Sequence, residues 1–268
     1  MAAFEPSGVI TLTTDFGLED PFVGVMKGQI LSRFAAARII DLTHGVPAQR
    51  PEEAAVWLAR SFEYFPRGPV HVAVVDPGVG TARAIVCLIT AGHALLAPDN
   101  GLLEPVAAGR PDAHAVRLAP SRLAALGAAR VSATFHGRDL FAPVAAELAS
   151  GRCTPESLGE PAALTPGTMR GPRVSEEGVE GSILTVDHFG NLITNIDGRM
   201  LAGLAEPRIR IAGHVLALRR TYGDARPGEL LALVNSFDLL EIACSQGSAA
   251  RVLGVGRGAP VTASSAKS

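Results

Sequence analysis

The residues best equipped for chemistry in this chain lie in one stretch, Val70 to Arg83, reading VHVAVVDPGVGTAR. Asp76 closes a mostly β-branched apolar run. A turn with two glycines and a proline then leads to Arg83 and a second apolar run, Ala84 to Ile89. A carboxylate at the C-terminal end of a strand buried on both faces, followed by a glycine-rich turn, stands where open α/β sheets bind ligands. A strand–turn–strand layout can fold the guanidinium back to the same mouth, placing a charged pair at that rim. The alternative is local: Asp76 caps its own turn and Arg83 merely pairs with it. From this stretch alone both readings stay open.

Further polar groups end neighbouring apolar runs: Asp15, Asp41 with His44, and His136 with Arg138 and Asp139. In a parallel sheet such ends converge on one rim, the default place for a site. Each also has a structural explanation, since Asp15, Asp41 and Asp139 can cap helices and His44 can be a turn residue. Together they ask for more, because a purely structural rim needs caps but not two histidines and a strand-terminal arginine. A dispersed metal set of Asp15, Asp41, His44, Asp76 and His136 has no local spacing to test. No phosphate-binding loop, G-x-G-x-x-G fingerprint, G-x-S-x-G elbow or H-E-x-x-H helix is present. Later, Asp187-His188-Phe189-Gly190-Asn191 and Asn235-Ser236-Phe237 gather amides and aromatics suited to reading a planar heterocycle. A tight Gly-Asn hairpin turn explains the first equally well.

The elements that must position these groups follow from pattern. Gly8 to Thr14 reads as a strand, Asp20-Pro21 as an N-cap with proline at the first helical position, and the helix to about Phe34 carries Phe22, Val25, Met26, Ile30 and Phe34 on one face. Arg38 to Leu42 reads as a strand, and Pro51-Glu52-Glu53 opens a helix that Pro66 stops. Strands alternating with helices imply a mainly parallel sheet with flanking helices, an α/β fold. Ala84 to Ile89, Ala94 to Ala97 and Val131 to Phe135 are short strand-like runs, and a helix runs from Leu140 to Ser150 with Pro143 in its first turn. Gly151 to Gly181, rich in Pro, Gly, Ser and Glu, reads as a boundary. Beyond it, regularly spaced short strands (182–186, 192–195, 208–211, 214–218, 229–234 and 239–243) predict a small all-β barrel or sandwich. The expected organisation is an α/β domain over 1–165, a linker over 166–180 and a β domain over 181–268.

Composition excludes several classes. Net charge is -2, only Lys27 and Lys267 are lysines, and no basic block stands out, which disfavours a nucleic-acid or anionic-membrane partner. The three cysteines, Cys87, Cys153 and Cys244, form no metal-type pair and no disulfide framework, which suits a reducing cytoplasm. MAAFEPSGVI has no basic region ahead of an apolar core, so no signal peptide is expected there. No uncharged apolar run approaches the roughly 20 residues that span a bilayer.

Seven ordered motifs carry a resemblance: TDFG at Thr14 to Gly17, DLTHGVP at Asp41 to Pro47, VDPGVGTAR at Val75 to Arg83, DNGLL at Asp99 to Leu103, FHGRDLFAP at Phe135 to Pro143, DHFGNLITN at Asp187 to Asn195 and NSF at Asn235 to Phe237. Over nearly its whole length the chain resembles the S-adenosylmethionine hydrolase, or hydroxide adenosyltransferase, family, whose relatives are the bacterial fluorinase and chlorinase. The resemblance implies an α/β domain, a β-barrel domain and a homotrimer with substrate between subunits. It also implies cleavage of S-adenosylmethionine by water to adenosine and methionine, without cofactor or metal. By the same resemblance Asp76, Arg83 and His136 are catalytic, and Asp15 holds the ribose hydroxyls. Asp20, Asp187 and Ser236 then meet the methionine portion, and Asn191, Phe189 and Tyr222 form the adenine pocket. His136-Gly137 stands where the fluorinase has Tyr-Ser, the connection after Arg83 is shorter than in the halogenases, and Phe237 replaces a fluorinase arginine. The competing readings are a non-catalytic adenosine or S-adenosylmethionine sensor, a halide-using adenosyl transferase and a metal-dependent hydrolase.

Overall fold

A computed structural model describes residues 4–266. Met1 to Ala3, where the stretch read for a leader begins, and Lys267 lie outside the described residues. The chain forms two compact units divided between Thr168 and Met169.

The first unit holds β1 (Val9–Thr14), α1 (Phe22–Arg33), β2 (Arg38–Thr43), α2 (Pro51–Ser61), β3 (Val70–Val74), β4 (Ile85–Thr90), β5 (His93–Pro98), α3 (Glu104–Ala107), β6 (His114–Leu118), α4 (Pro120–Leu126), α5 (Ala142–Ala149) and β7 (Gly159–Ala162). Its sheet runs β2-β1-β3-β5-β4-β6-β7. The first four strands in that order are mutually parallel, and the other three pairings are antiparallel. The sheet is therefore mixed, with the expected parallel half covered by helices.

The reversal is made between β4 and β5, where Ala91 (φ 52°) and Gly92 (φ 80°) give the paired positive-φ residues of a two-residue hairpin. Asp112 supports the unusual alanine, accepting from Ala91 N at 2.6 Å and from Thr90 Oγ1 at 3.1 Å. Because β5 lies beside β3 and β4 runs back along β5, the start of β4 returns to the rim where β3 ends. The Asp76–Arg83 turn thus begins and ends on one rim. β3, β4 and β5 are buried throughout, as strands covered on both faces must be. β7 contains Pro161 but sits at the sheet edge, where a missing donor is tolerated.

Three local expectations are corrected. Pro21 itself is the N-cap of α1, its carbonyl accepting from Val25 N at 2.9 Å, and no side chain caps the turn. The buried face of α1 is Val23, Met26 and Ile30, while Phe22 and Val25 are exposed. Val131 to Phe135 forms no strand. Ser132 N there donates to the Asp139 carboxylate at 2.8 Å, which ties the segment into a loop.

The second unit holds β8 (Arg173–Ser175), β9 (Gly178–Val186), β10 (Leu192–Asp197), β11 (Arg208–Ile211), β12 (His214–Arg219), β13 (Leu230–Val234), β14 (Leu239–Cys244), α6 (Ala249–Leu253) and β15 (Pro260–Ser264). The order β10-β14-β13-β12-β11-β15-β9 closes on itself through β9–β10 pairing, a seven-stranded barrel with β8 appended. Closure removes free edges. The barrel interior is filled by Val179, Ile183, Leu192, Ile196, Leu240 and Ile242 among others. Among the described residues no helix is long and apolar enough to cross a membrane.

Candidate active site

At the rim of the first unit Arg83 grips Asp76 with two nitrogens. Nε donates to Oδ1 at 3.0 Å and to Oδ2 at 2.9 Å, and Nη2 also reaches Oδ2. Both side chains are largely buried, at 5% exposure for Asp76 and 11% for Arg83, so this bidentate pair is less screened than a surface ion pair. The pairing expected by the local reading is present, but it is not confined to the turn. Arg83 Nη2 also lies 2.9 Å from His136 Nδ1, contributed by a distant loop. A guanidinium only donates, so Nδ1 is the acceptor and the neutral ring carries its proton on Nε2. Burial, and then the adjacent Arg83 cation, hold the His136 imidazole below its ordinary value. His136 is thus kept neutral, with Nε2–H as its remaining polar group.

A close approach brings His136 to this position. Gly80, at φ +78°, lies so near the Ala133 carbonyl that a Cβ there would sit 2.2 Å from that oxygen. The glycine turn after Asp76 is thereby pressed against the loop that leads to His136. His136 then caps a single π-helical turn, Gly137–Phe141, ahead of α5, with Pro143 tolerated in its first turn as expected. Asp139 anchors the turn, paired with Arg138 at 2.6 Å and accepting from Ser132 N. The Phe135 ring packs edge-on to Phe16 at 5.9 Å and Phe22 at 5.4 Å. DNGLL is support for this rim: Asn100 Nδ2 donates to Val75 O at 2.9 Å, and Asp99 N donates to Ala84 O at 3.0 Å.

The remaining rim carboxylates cap no helix. Asp15 accepts from Gln49 N at 2.8 Å, tying the end of β1 to the loop before α2. Asp41 pairs with Lys27 at 2.6 Å, and its Oδ1 lies 3.0 Å from His44 Nε2. His44 Nδ1 meets Thr14 Oγ1 at 2.8 Å, and Gly17 N donates to His44 O at 2.9 Å, so His44 braces the turn that carries Asp15. Asp20 is exposed ahead of α1. Among the described residues no group of three or more His, Cys, Asp or Glu is placed to hold a metal ion, so the dispersed Asp/His set is not gathered.

In the barrel unit Asp187 organises the β9–β10 turn. Its Oδ1 accepts from Phe189 N at 2.9 Å and Asn191 N at 2.8 Å, and its Oδ2 accepts from Asn191 Nδ2 at 3.0 Å. Asn191 is buried, whereas Phe189 is 73% exposed at the tip. Gly190 (φ +84°) permits a contact with Ser248 so close that a Cβ would lie 2.1 Å from its Oγ. Ser236 is exposed in the β13–β14 turn, and Tyr222 OH donates to Glu241 Oε1 at 2.8 Å. The turn reading and the binding reading of Asp187 to Asn191 are therefore compatible, since the turn is what presents Phe189. Sequence inspection missed Glu241, although a lone acid inside the apolar run LLEIA was a signal that it needs a partner.

Comparison with known proteins agrees with both halves. The model of the SAM hydroxide adenosyltransferase N-terminal domain matches residues 10–159, and that of the C-terminal domain matches residues 181–262. The chain is 42% identical over 252 residues to the (R)-S-adenosyl-L-methionine hydrolase of Thermus thermophilus, covering 92% of this chain and 96% of that one. It is 44% identical over 254 residues to the protein of the same name from Salinispora arenicola, covering 92% and 94%. Similarity to the Actinoplanes fluorinase is lower, 27% over 271 residues, covering 88% and 90%. Among solved structures, an uncharacterized conserved protein from Thermotoga maritima superposes with a TM-score of 0.86 at 36% identity, covering 95% of this chain and 99% of that one.

Proposed function

The chain belongs to the SAM hydroxide adenosyltransferase family, and on that premise we propose that it hydrolyses S-adenosyl-L-methionine to adenosine and L-methionine. The observation that carries this reading is the bonded set Asp76–Arg83–His136 at the rim of the first unit. A sulfonium departs as a neutral thioether, so no acid is needed at the leaving group. The demand falls on the nucleophile, since free water has a pKa of about 15.7. Arg83 stabilises the negative charge that develops on a water held beside it, and His136, neutral and accepting from Arg83 Nη2 through Nδ1, orients that guanidinium. Asp76 keeps Arg83 in place and is the acceptor within the set for the proton the water gives up. Holding that water in line with the ribose 5′ carbon supplies much of the remaining acceleration.

Asp15 takes the ribose hydroxyls, Asp20, Asp187 and Ser236 meet the methionine portion, and Asn191, Phe189 and Tyr222 form the adenine pocket. With its Nδ2 engaged by Asp187, Asn191 meets adenine through its carbonyl, which suits an exocyclic amine. The hydrolase relatives' names specify the R form at sulfur, and we assign the same preference here. Halide is disfavoured as nucleophile, because a bound halide needs donors to replace its lost hydration. No hydroxyl stands at Gly137, where a Cβ would lie 3.1 Å from Met26 Sδ and 3.3 Å from the Phe135 ring. We place residues 1–165 in the catalytic domain and 181–268 in the domain that completes the site, within a metal-independent, cytoplasmic homotrimer whose sites are shared between subunits. The stretch 166–180, read as a linker, already contributes β8 and the start of β9 to the barrel unit. Three free cysteines are in keeping with a reducing compartment.

Incubation of the protein with each sulfur epimer in excess chelator, in heavy-oxygen water and concentrated halide, followed by chromatography and mass spectrometry, tests this reading. Adenosine labelled once at the 5′ oxygen is expected, mainly from the R epimer. Unlabelled adenosine, a 5′-halo product, or activity restored only by a divalent ion overturns it. Tight binding with no product would make the chain a sensor.

A further inference from the structure

The barrel unit contains a buried acid that the mechanism above does not use. Glu241 is 2% exposed and lies on β14 opposite Leu233 of β13 and Ile193 of β10. Its neighbours Leu240 and Ile242 belong to the barrel core, so strand alternation turns Glu241 to the outer face. Leu231, Leu233 and Ala243 there form a small apolar cluster with Ala225. An acid withdrawn from water in such surroundings is costly unless it is bonded. Its two oxygens have different partners: Oε1 accepts from Tyr222 OH at 2.8 Å, and Oε2 accepts from Asn235 Nδ2 at 3.1 Å.

Both partners sit in segments that need to be held. Tyr222 opens a one-turn 3-10 segment fixed by a capping box between Thr221 and Asp224. Asn235 Oδ1 accepts from Phe237 N at 2.9 Å and Leu239 N at 3.1 Å, so this amide shapes the turn that presents Ser236. With Oδ1 used by two backbone donors and Nδ2 used by Glu241, the orientation of Asn235 is fully specified. One side chain therefore braces two of the segments that carry assigned substrate contacts.

We propose that Glu241 is the positioning residue of the barrel half of the site, setting Tyr222 and the Asn235–Phe237 turn and so governing affinity for the adenosyl substrate rather than the chemical step. This rests on the assignment of Tyr222 and Ser236 to substrate contacts. A carboxylate is required rather than any buried group, because it accepts from both partners at once. Gln accepts through one atom only, and Leu through none.

The test is steady-state kinetics on Glu241→Gln, Glu241→Leu, Tyr222→Phe and the Tyr222→Phe/Glu241→Gln pair, with thermal melting as the folding control. Loss of a buried hydrogen bond to a charged acceptor predicts a rise in KM of roughly tenfold to a hundredfold for Glu241→Leu, with kcat within about twofold. Glu241→Gln should fall between it and the wild type, and the pair should be less than additive, since both changes break one bond. Tyr222 ionisation gives a second readout independent of turnover. In a Tyr64→Phe background, where Tyr222 is the sole tyrosine of the two in the chain, its titration should move to lower pH in Glu241→Leu. A folded Glu241→Leu with unchanged KM, or one that loses kcat at constant KM, overturns the proposal. If Glu241→Leu does not fold, Glu241→Gln and the pair decide by the same criteria. A wild type that neither binds nor cleaves the substrate would instead remove the functional reading, while the tyrosine titration would still report whether the brace exists.

Discussion

Replacing Arg83 by Gln tests the catalytic set most directly, because the change removes a charge while keeping a donor near His136 Nδ1. His136 lies below its ordinary value of 6.5, through burial first and the Arg83 cation second. Protonation of Nδ1 would set two donors against each other at the 2.9 Å contact with Arg83 Nη2. Activity should therefore fail on the acid side as His136 takes up its proton. Two cations in contact repel, so the Arg83 charge opposes uptake of a proton by His136 and its removal makes that uptake easier. Removing Arg83 also leaves Asp76 without its partner, and an unopposed carboxylate raises the His136 value further. The two effects share a sign. The acid limb of the kcat profile for Arg83→Gln should thus move to higher pH, while the plateau drops by roughly 10²–10³-fold for loss of one charge-stabilising group. Binding measured by calorimetry should change far less. An acid limb that stays in place or moves to lower pH would refute the coupling between Arg83 and His136.

Three further outcomes are expected. Gly80→Ala combines a disfavoured positive φ with a Cβ driven to 2.2 Å from Ala133 O, so it should lower stability by about 1–3 kcal/mol. It should also lower kcat beyond that of a surface Gly213→Ala control; equal kcat would separate the turn from His136 positioning. His71 is wholly buried and pushed down to about 3 by burial and by His93, so the folded protein keeps it neutral where the unfolded chain takes a proton. Stability should consequently be intact above about pH 6.5 and fall by up to about 5 kcal/mol as pH drops toward 3. Denaturant titrations should show a shallower slope over that window for His71→Gln, and parallel curves would refute the assignment. Finally, if sites are shared between subunits, co-refolded mixtures of inactive His136→Ala and inactive Asn191→Ala chains should recover part of the wild-type activity, and mixed trimers that recover none would refute sharing.

What could be read in advance was what is local. Asp76 at the end of β3 and Arg83 before β4 were legible because a buried strand, a glycine turn and a second buried strand are contiguous in sequence. The layout also allowed Arg83 to fold back to the same mouth, but the hairpin that runs β4 back along β5 was not legible, since it depends on Ala91-Gly92 adopting a turn usually signalled by Asn-Gly or Asp-Gly. Here Asp112, remote in the chain, holds the alanine. Val131 to Phe135 has strand-like residue types, but the contact of Gly80 with Ala133 and the bond from Ser132 to Asp139 override local propensity. The residue pattern put His136 on the same rim as Arg83 through a strand at Val131 to Phe135 that does not form, and only family resemblance joined the two in one set.

Glu241 marks a different limit, and the reason is physical. The run Leu239 to Ala243 reads as a strand, and its lone acid signals the need for a partner without saying which segments supply it. A barrel strand, however, has an outer face that loops can cover. Here the segments carrying Tyr222 and Ala225 lie over it. Once covered, a carboxylate must find donors, and the donors available are the very segments assigned to hold the substrate. Burial therefore converts an ordinary strand acid into a constraint on two loops at once. That conversion depends on three-dimensional closure of the barrel, so it was invisible to any window along the chain, although the acid itself stood in plain view.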